Sequence, residues 1–339
     1  MSYRHKIAVT GAGGGVGQSV IKSLYHTDYD IVALDGEVLG TGLYAAPKAY
    51  TIPYSSKDNF IPVLLDICKK EKCSLLFPGL DAELMVLSKH RQDFAEIGTT
   101  VVVSNEDVIL ASDDKQVTYD RLTEAGLLVP KTVGLEALLN KVAELEFPVI
   151  VKQKVGGARS KNVFLLRSMD DLLKLREKEK LNPDHYIAQE YIEGDEYTCG
   201  SVNLGGECKG VIVMRRILRD GDTYKCFSLT DSVIEDAVRR VMNTLKPFGA
   251  CNVQLRMKNG KPYIFEINAR CSGTTASRTL CGFNEPGMIA DFLLRGIEPA
   301  YKIEHRTVLR YWKELVVENH EVDQLRTSGH LSTIHQNLL

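Results

Sequence analysis

The chain has 339 residues, a length that suits two or three domains with sizeable cores. Its 44% hydrophobic and 25% charged residues exclude a disordered or membrane-resident chain, and a formal net charge of -2 speaks against a general nucleic-acid-binding surface, which needs a basic excess. The eight cysteines contain no C-x-x-C pair, and neither an apolar leader nor an 18-residue apolar run occurs, so reduced thiols, a cytoplasmic location and no membrane insertion are expected.

The first hundred residues alternate strand and helix patterns: "KIAVT", a helix from Val16, "DIVAL", a helix around "FIPVLLDICKK", "SLLFP", a helix from "DAELMVL", and "TTVVVS". Such alternation predicts a parallel, Rossmann-like sheet covered on both faces. Its first turn, "GAGGGVG", sets Gly11, Gly14 and Gly17 before a helix whose backbone amides suit an anion; the spacing is G-x-x-G-x-x-G, with Val16 where a dinucleotide fingerprint needs glycine. Asp35, after the second strand, stands where a dinucleotide enzyme meets the ribose. A new pattern begins near Ser112, which can cap a helix that Gly126 ends and Pro130 prevents from continuing, and this places a domain boundary at residue 112.

From Phe147, the strand "FPVIVK", a glycine turn, "NVFLL", a helix from Met169 and "HYIAQEYI" predict a small α+β unit. Lys152, Lys154, Arg159, Lys161 and Arg167 fall here with no acid among them, which suits a hairpin folded over polyphosphate and equally an exposed basic turn. The acidic linker "QEYIEGDEY" suits a nucleoside, its backbone meeting a purine edge and a carboxylate the ribose; an acidic surface turn reads the same. Longer strands follow to about Val317, with helices "DSVIEDAVRRVMNTL" and "EPGMIADFLLRG", and the last twenty residues read as a polar, weakly structured tail.

In "YIFEINARCSGTT" the period of a strand puts Glu266, Asn268 and Arg270 on one face and Phe265, Ile267 and Ala269 on the other. A carboxylate and an amide oxygen suit a hard cation, and an arginine suits an oxyanion. Gln254 joins that face only if the "KNGK" connection is a three-residue loop with Gly260 left-handed, because a two-residue turn sets Gln254 opposite Phe265.

The ordered set Lys115, "VIVK" ending at Lys152, the glycine hairpin, "QEYIEGDEY", "NVQ" and "FEINARCSGTT" resembles the ATP-grasp superfamily, in particular its carbamoyl-phosphate-synthase-like members, over residues 5 to 317. The resemblance implies an α/β chain: a Rossmann-like pre-ATP-grasp domain (1–112), then a two-lobed α+β ATP-grasp domain of linker helix and lid subdomain (113–190) and large subdomain (191–318), with a tail (319–339). It implies that Lys115 and Lys152 contact ATP phosphates, and that Gly156, Gly157, Arg159 and Ser160 form the lid loop. Glu190 and Ile192 would meet adenine and Glu196 the ribose. Gln254, Glu266 and Asn268 would bind one or two Mg²⁺, with Arg270 steadying the transferring phosphoryl group. Arg215, Arg216 and Lys225 are offered to an acidic substrate, and Gly11, Gly14 and Gly17 to an anion. "EINAR" departs from the family's frequent "EINPR", and Gln254 replaces a carboxylate. The activity implied is ATP-dependent activation of a carboxylate as an acyl phosphate for attack by an amine or thiol, on small molecules, with a homodimer common. A short-chain-dehydrogenase-like oxidoreductase using the glycine loop and a non-catalytic ATP sensor are the alternatives; the Tyr44-x-x-x-Lys48 match lies in a Pro47-containing loop unsuited to a catalytic helix.

Overall fold

The computed structural model describes residues 4–157, 162–311 and 313–332, which build three sheets. The N-terminal unit comprises β1 (Lys6–Val9), α1 (Gly15–Leu24), β2 (Asp30–Asp35), β3 (Lys48–Thr51), α2 (Phe60–Glu71), β4 (Cys73–Phe77), α3 (Asp81–Lys89), α4 (Arg91–Glu96), β5 (Thr100–Val101) and α5 (Glu106–Asp113). Its strands run parallel in the order β3-β2-β1-β4-β5. Both faces are covered, as the unbroken apolar runs require: Ile7 and Val9 point into one core, Ala8, Val32 and Leu76 into another. The short strand β3 was not expected from the sequence. It begins at Lys48, so the Tyr44–Lys48 segment runs from the end of a short 3-10 helix (Thr41–Tyr44) through a bend into β3 and contains no α-helix.

The helix expected to start at Ser112 starts later. Ser112 lies inside α5, and Asp114 caps α6 (Lys115–Glu124), its carboxylate accepting from the Gln116 amide at 2.9 Å and the Val117 amide at 3.3 Å. The small unit follows as β6 (Thr132–Gly134), α7 (Leu135–Leu139), β7 (Val149–Gln153), β8 (Phe164–Leu166), α8 (Met169–Glu179) and β9 (Tyr186–Glu190), in an antiparallel sheet ordered β6-β9-β7-β8.

The third unit is β10 (Glu196–Leu204), β11 (Glu207–Arg219), β12 (Asp222–Leu229), α9 (Ser232–Leu245), β13 (Gly249–Lys258), β14 (Lys261–Asn268), α10 (Thr275–Leu280), α11 (Glu285–Arg295) and β15 (Thr307–Leu309), in an antiparallel sheet ordered β14-β13-β10-β11-β12-β15. Instead of a weakly structured tail, α12 (Asn319–Ser328) and β16 (His330–Ser332) return to the first sheet, where β16 pairs antiparallel with β3 and buries Leu331. An exposed parallel edge is thereby covered. The eight cysteines are free thiols, seven of them buried, and burial pushes those of Cys199 and Cys251 up to about 12. No helix among the described residues is long and apolar enough to cross a membrane.

The first and third units share one core, with α1 against α10 and α11. Ser19 Oγ donates to Gly273 O at 2.9 Å, and Thr279 Oγ1 to Ser23 Oγ at 2.8 Å. Beneath this contact, Arg278 and Glu285, both fully buried, pair at 2.8 Å. Thr275 Oγ1 donates to Glu285 at 2.7 Å, and Arg278 donates to Thr198 Oγ1 at 3.1 Å and to Asn252 Oδ1. Gly200 leaves room for the pair, since a Cβ there would lie 2.3 Å from Glu285 and 2.5 Å from Arg278. This network anchors the 271–275 loop to the large sheet. Breaking it by Arg278→Met should cost about 3–5 kcal/mol by stranding Glu285, and adding Glu285→Leu should recover part of the loss, both read from urea denaturation midpoints.

Candidate active site

A cavity of about 240 Å³ opens between the small sheet and the large one, lined by Ile150 and Lys152 from β7, residues 189–192 at and beyond the end of β9, and Arg216, Gln254, Arg256, Phe265 and Glu266 from the large sheet. Its floor is set by an irregularity in β14. The hairpin connection is a two-residue turn, Asn259-Gly260, with φ of +52° and +72° and Lys258 opposite Lys261. The expected three-residue loop is therefore corrected. Gln254 nevertheless pairs with Glu266, because the register shifts between Gln254 and Leu255, the latter pairing with Ile264. Phe265 is the extra residue of a β-bulge. Its side chain lines the cavity instead of the buried face, where Ile264 takes its place in the core.

The bulge also takes the Phe265 carbonyl out of the ladder. That oxygen accepts from Tyr119 Oη at 2.7 Å and from Lys152 Nζ at 3.1 Å, so the backbone of the floor holds the lysine of the opposite sheet. Lys152 is only 6% exposed, and burial pushes its ammonium down to about 8, against the raising influence of Glu266. Burial likewise lowers Lys115, with Glu266 opposing. Lys115 Nζ donates to Gly156 O at 2.7 Å, and Asp113 Oδ1 accepts from Gly156 N at 3.0 Å, which ties the glycine turn to the α5–α6 junction. Gly156 and Gly157 adopt φ of +68° and +91°, which a side chain would strain. Arg159 and Ser160 lie outside the described residues.

Along the floor runs an unbroken polar row. Glu266 Oε1 accepts from Gln254 Nε2 at 3.2 Å and from Asn268 Nδ2 at 3.1 Å. Each amide oxygen is held by a guanidinium: Arg216 Nη2 donates to Gln254 Oε1 at 2.6 Å, and Arg270 Nη2 to Asn268 Oδ1 at 3.1 Å. A guanidinium only donates, which fixes both amide orientations. Gln254 and Asn268 thus present nitrogen to Glu266 in this structure, and the three residues that the sequence offered to Mg²⁺ lie together in one row. Glu266 Oε2 accepts no hydrogen bond among the described residues, and the residues fit one Mg²⁺ held by this carboxylate, since that ion is commonly held by one or two carboxylates with phosphates and water completing its shell. No cluster of three or more His, Cys, Asp or Glu suited to a metal occurs among the described residues.

At the other end of the cavity, Glu190 ends β9 and Ile192 lies in the linker that follows. Glu190 N donates to Lys131 O at 2.8 Å, while Ile192 O accepts from Arg256 Nη1 at 3.1 Å. Arg256 also covers the Tyr191 ring at 5.2 Å. Glu196 stands directly opposite Arg216 and Arg256 in the two ladders. Its Oε1 accepts from Arg216 Nε and Nη2 at 2.9 and 2.7 Å, its Oε2 from Arg256 Nε and Nη2 at 3.2 and 2.7 Å. Four donors engage both oxygens of Glu196, which thereby organises two arginines at this end of the cavity. Arg256 was missed from the sequence, although its position two residues after Gln254 puts it on the same strand face.

Arg270 lies beyond the end of β14. Its Nε and Nη2 donate to Asp81 Oδ1 and Oδ2 at 2.7 and 2.5 Å, and Nη1 donates to Cys271 O at 2.9 Å. Asp81, the first residue of α3, escaped sequence reasoning because nothing local links positions 189 apart. Arg216 lines the cavity, whereas Arg215 does not: it faces Asp195 at 3.5 Å and the Phe227 ring at 4.7 Å. Lys225 is also absent from the lining and lies over Tyr224 at 5.6 Å. In the glycine loop, close backbone packing explains the composition: a Cβ on Gly17 would lie 2.2 Å from Gly11 O, and one on Gly11, where φ is +57°, would lie 2.7 Å from Leu80. Gly14 precedes α1 as its cap. Asp35 is committed inside the loop, accepting from Gly13 N at 2.6 Å and Glu37 N at 2.8 Å, which removes the ribose contact a nicotinamide enzyme would need.

Residues 182–315 match the model of the family described as ATP-grasp in the biosynthetic pathway with Ter operon, and residues 7–102 match the PylC-like N-terminal domain. Among solved structures, the chain is similar to N5-carboxyaminoimidazole synthetase from Staphylococcus aureus complexed with ADP (TM-score 0.70, 16% identity, 89% of this chain and 81% of that one). It is similar to L-amino acid ligase from Bacillus licheniformis (TM-score 0.67, 14% identity, 88% and 76%). It also resembles the biotin carboxylase domain dimer of Hydrogenobacter thermophilus 2-oxoglutarate carboxylase with MgADP, ADP and bicarbonate (TM-score 0.69, 17% identity, 89% and 73%). With an N-terminal parallel α/β unit and a small antiparallel sheet facing a large one, the chain has the fold of these structures, and its residues 182–315 carry the match to an ATP-grasp family model.

Proposed function

We propose that the protein is an ATP- and Mg²⁺-dependent ligase that activates a carboxylate as an acyl phosphate and transfers the acyl group to an amine or thiol. The observation that carries this reading is the meeting of Lys115, Lys152 and Glu266, from three separate segments, in one cavity. The neighbours support it: one is named a synthetase and solved with ADP, another is named an L-amino acid ligase. In this reading, residues 1–112 are the pre-ATP-grasp domain, 113–190 the linker helix and lid subdomain, 191–318 the large subdomain, and 319–339 the C-terminal segment, of which 319–332 close the first sheet. Cytoplasmic residence, suggested by the free thiols, and homodimer formation, as in the biotin carboxylase domain dimer, belong to the same proposal.

A carboxylate oxygen of the first substrate attacks the γ-phosphorus of ATP as ADP departs. The nucleophile then attacks the carbonyl carbon of the acyl phosphate, and inorganic phosphate leaves. Phosphoryl transfer needs alignment and charge neutralisation more than covalent help from the protein. The linker backbone at Glu190–Ile192 positions the base, Lys115 and Lys152 neutralise phosphate oxygens, and the Gly156-Gly157 turn lies over them to exclude water. Arg270, oriented by Asp81 and Asn268, sits at the end of the floor nearest the N-terminal unit. A Mg²⁺ held by Glu266 would add charge neutralisation at the transferring phosphate.

The test is ADP release on a panel of amino-acid and dipeptide pairs. Glu266→Gln should lower turnover at least about a hundredfold in a coupled assay, as expected for loss of a principal electrostatic group; unchanged turnover would remove Glu266 from the chemistry. Lys152 gives a pH dependence of defined sign. Its folded value of about 8 lies below that of an exposed lysine, so the cost of its buried charge is fully present below about pH 8 and fades as pH rises toward 10.5. Nucleotide binding requires the charged form, so affinity measured by calorimetry should fall above about pH 8 with uptake of one proton. Lys152→Arg should flatten that profile.

A further inference from the structure

We propose that Tyr119 is a positioning residue for Lys152, and that helix α6 thereby sets both lysines of the cavity, Lys115 directly and Lys152 through the Tyr119 hydroxyl. This rests on reading the cavity as a nucleotide site. Lys115 opens α6 and Tyr119 follows four residues later, so the two side chains leave one face of the helix. The start of α6 is itself held in place: Asp114 caps it, and Thr118 Oγ1 donates to Ala111 O at 2.6 Å. Lysine carries its charge on a flexible four-carbon stem, whereas a tyrosine ring turns about only two χ angles. With Tyr119 just 3% exposed, the tyrosine is the stiffer member of the pair.

What the two side chains share is the Phe265 carbonyl. It accepts from Tyr119 Oη at 2.7 Å and from Lys152 Nζ at 3.1 Å, which engages both lone pairs of the oxygen. Phe265, the extra residue of the bulge, has no partner in the ladder, and Tyr119 supplies one from a helix outside both sheets. Among the described residues Lys152 donates to no other atom. Its ammonium lies 5.6 Å from the centre of the Tyr119 ring and 5.7 Å from that of Phe265. Aromatic faces favour the charge without fixing the direction of any N–H. Direction comes from the carbonyl, and the carbonyl is held by Tyr119. The remaining N–H groups of the ammonium are left for phosphate oxygens.

The experiment is a double-mutant cycle on the full chain, read as calorimetric affinity for a non-hydrolysable ATP analogue with Mg²⁺, urea midpoints being measured on the same preparations. Tyr119→Phe, which keeps the ring and removes only the hydroxyl, should weaken binding about three- to tenfold, the effect of one net hydrogen bond. Lys152→Met should weaken it at least about tenfold, as loss of a charged hydrogen-bonding group does. Added to Lys152→Met, Tyr119→Phe should change affinity by less than about twofold, because the residue it positions is gone; added to Lys115→Met, it should keep its full effect. A merely structural role would lower the urea midpoint and weaken binding equally in all three backgrounds. Unchanged affinity of Tyr119→Phe, or an equal effect with and without Lys152, would overturn the inference while leaving the nucleotide reading intact. Undiminished binding by Lys152→Met would overturn it together with the assignment of Lys152 to phosphate, and failure of wild type to bind nucleotide would overturn the nucleotide reading as a whole.

Discussion

Phe265 is one residue more than its ladder accommodates, and the site depends on where that surplus is placed. Without the bulge, the two-residue Asn259-Gly260 turn would set Gln254 against Phe265 and turn Glu266 to the opposite face. With it, Glu266 comes into register with Gln254, the Phe265 ring enters the cavity, and its carbonyl is released to hold Lys152 and Tyr119. One backbone defect thus delivers the floor's carboxylate and restrains the cation above it. A regular strand would supply either feature only at the expense of hydrogen bonds elsewhere.

Electrostatic restraint along the floor follows a consistent rule. Permanent guanidinium charges are fixed by carboxylates, Arg216 and Arg256 by Glu196 and Arg270 by Asp81, and they in turn fix neutral amides that brace Glu266. The lysines are treated differently. Lys152 is bound to a carbonyl and Lys115 to Gly156 O, neutral partners that position an ammonium without cancelling its charge. The two lysine charges thus face the cavity without a carboxylate partner at hydrogen-bond distance, and the guanidinium charges of the floor are neutralised in place.

Much of the fold was legible because it rests on local periodicity. The unbroken apolar runs of β1, β2 and β4 announced a sheet covered twice, and "FEIN" announced a strand with one polar face. What escaped depended on counts or on distance. A surplus residue can enter a hairpin loop or a strand, and "MKNGKPYIFEIN" has the same length in both cases; the left-handed preference of Asn-Gly decides for the tight turn, and the excess moves to Phe265. The C-terminal segment looked polar because α12 and β16 bury little beyond Leu325 and Leu331, while the partner they need, the β3 edge, lies almost 280 residues earlier. Glu196 illustrates another limit. Its place beside the acidic linker was readable, but its two arginines come from other strands, so whether its oxygens stay free was not.

The N-terminal unit also shapes the cavity floor, because it holds the end at which Arg270 lies. Ser19 and Ser23 of α1 hold the segment that follows Arg270, accepting from or donating to Gly273, Thr279 and Asn284, while Asp81 of α3 holds the Arg270 guanidinium itself. The glycines of the first turn permit the close approach of the 10–17 and 79–80 backbones that brings α1 and α3 to the same end of the sheet. The buried Arg278–Glu285 pair fixes the other side of that loop against β10 and β13 through Thr198 and Asn252. Arg270 is therefore located from both units at once, through Asp81 on one side and Asn268 on the other. The Arg270 end of the floor is set by the interface between the units, whereas the Glu190–Ile192 end is set within the small and large sheets alone.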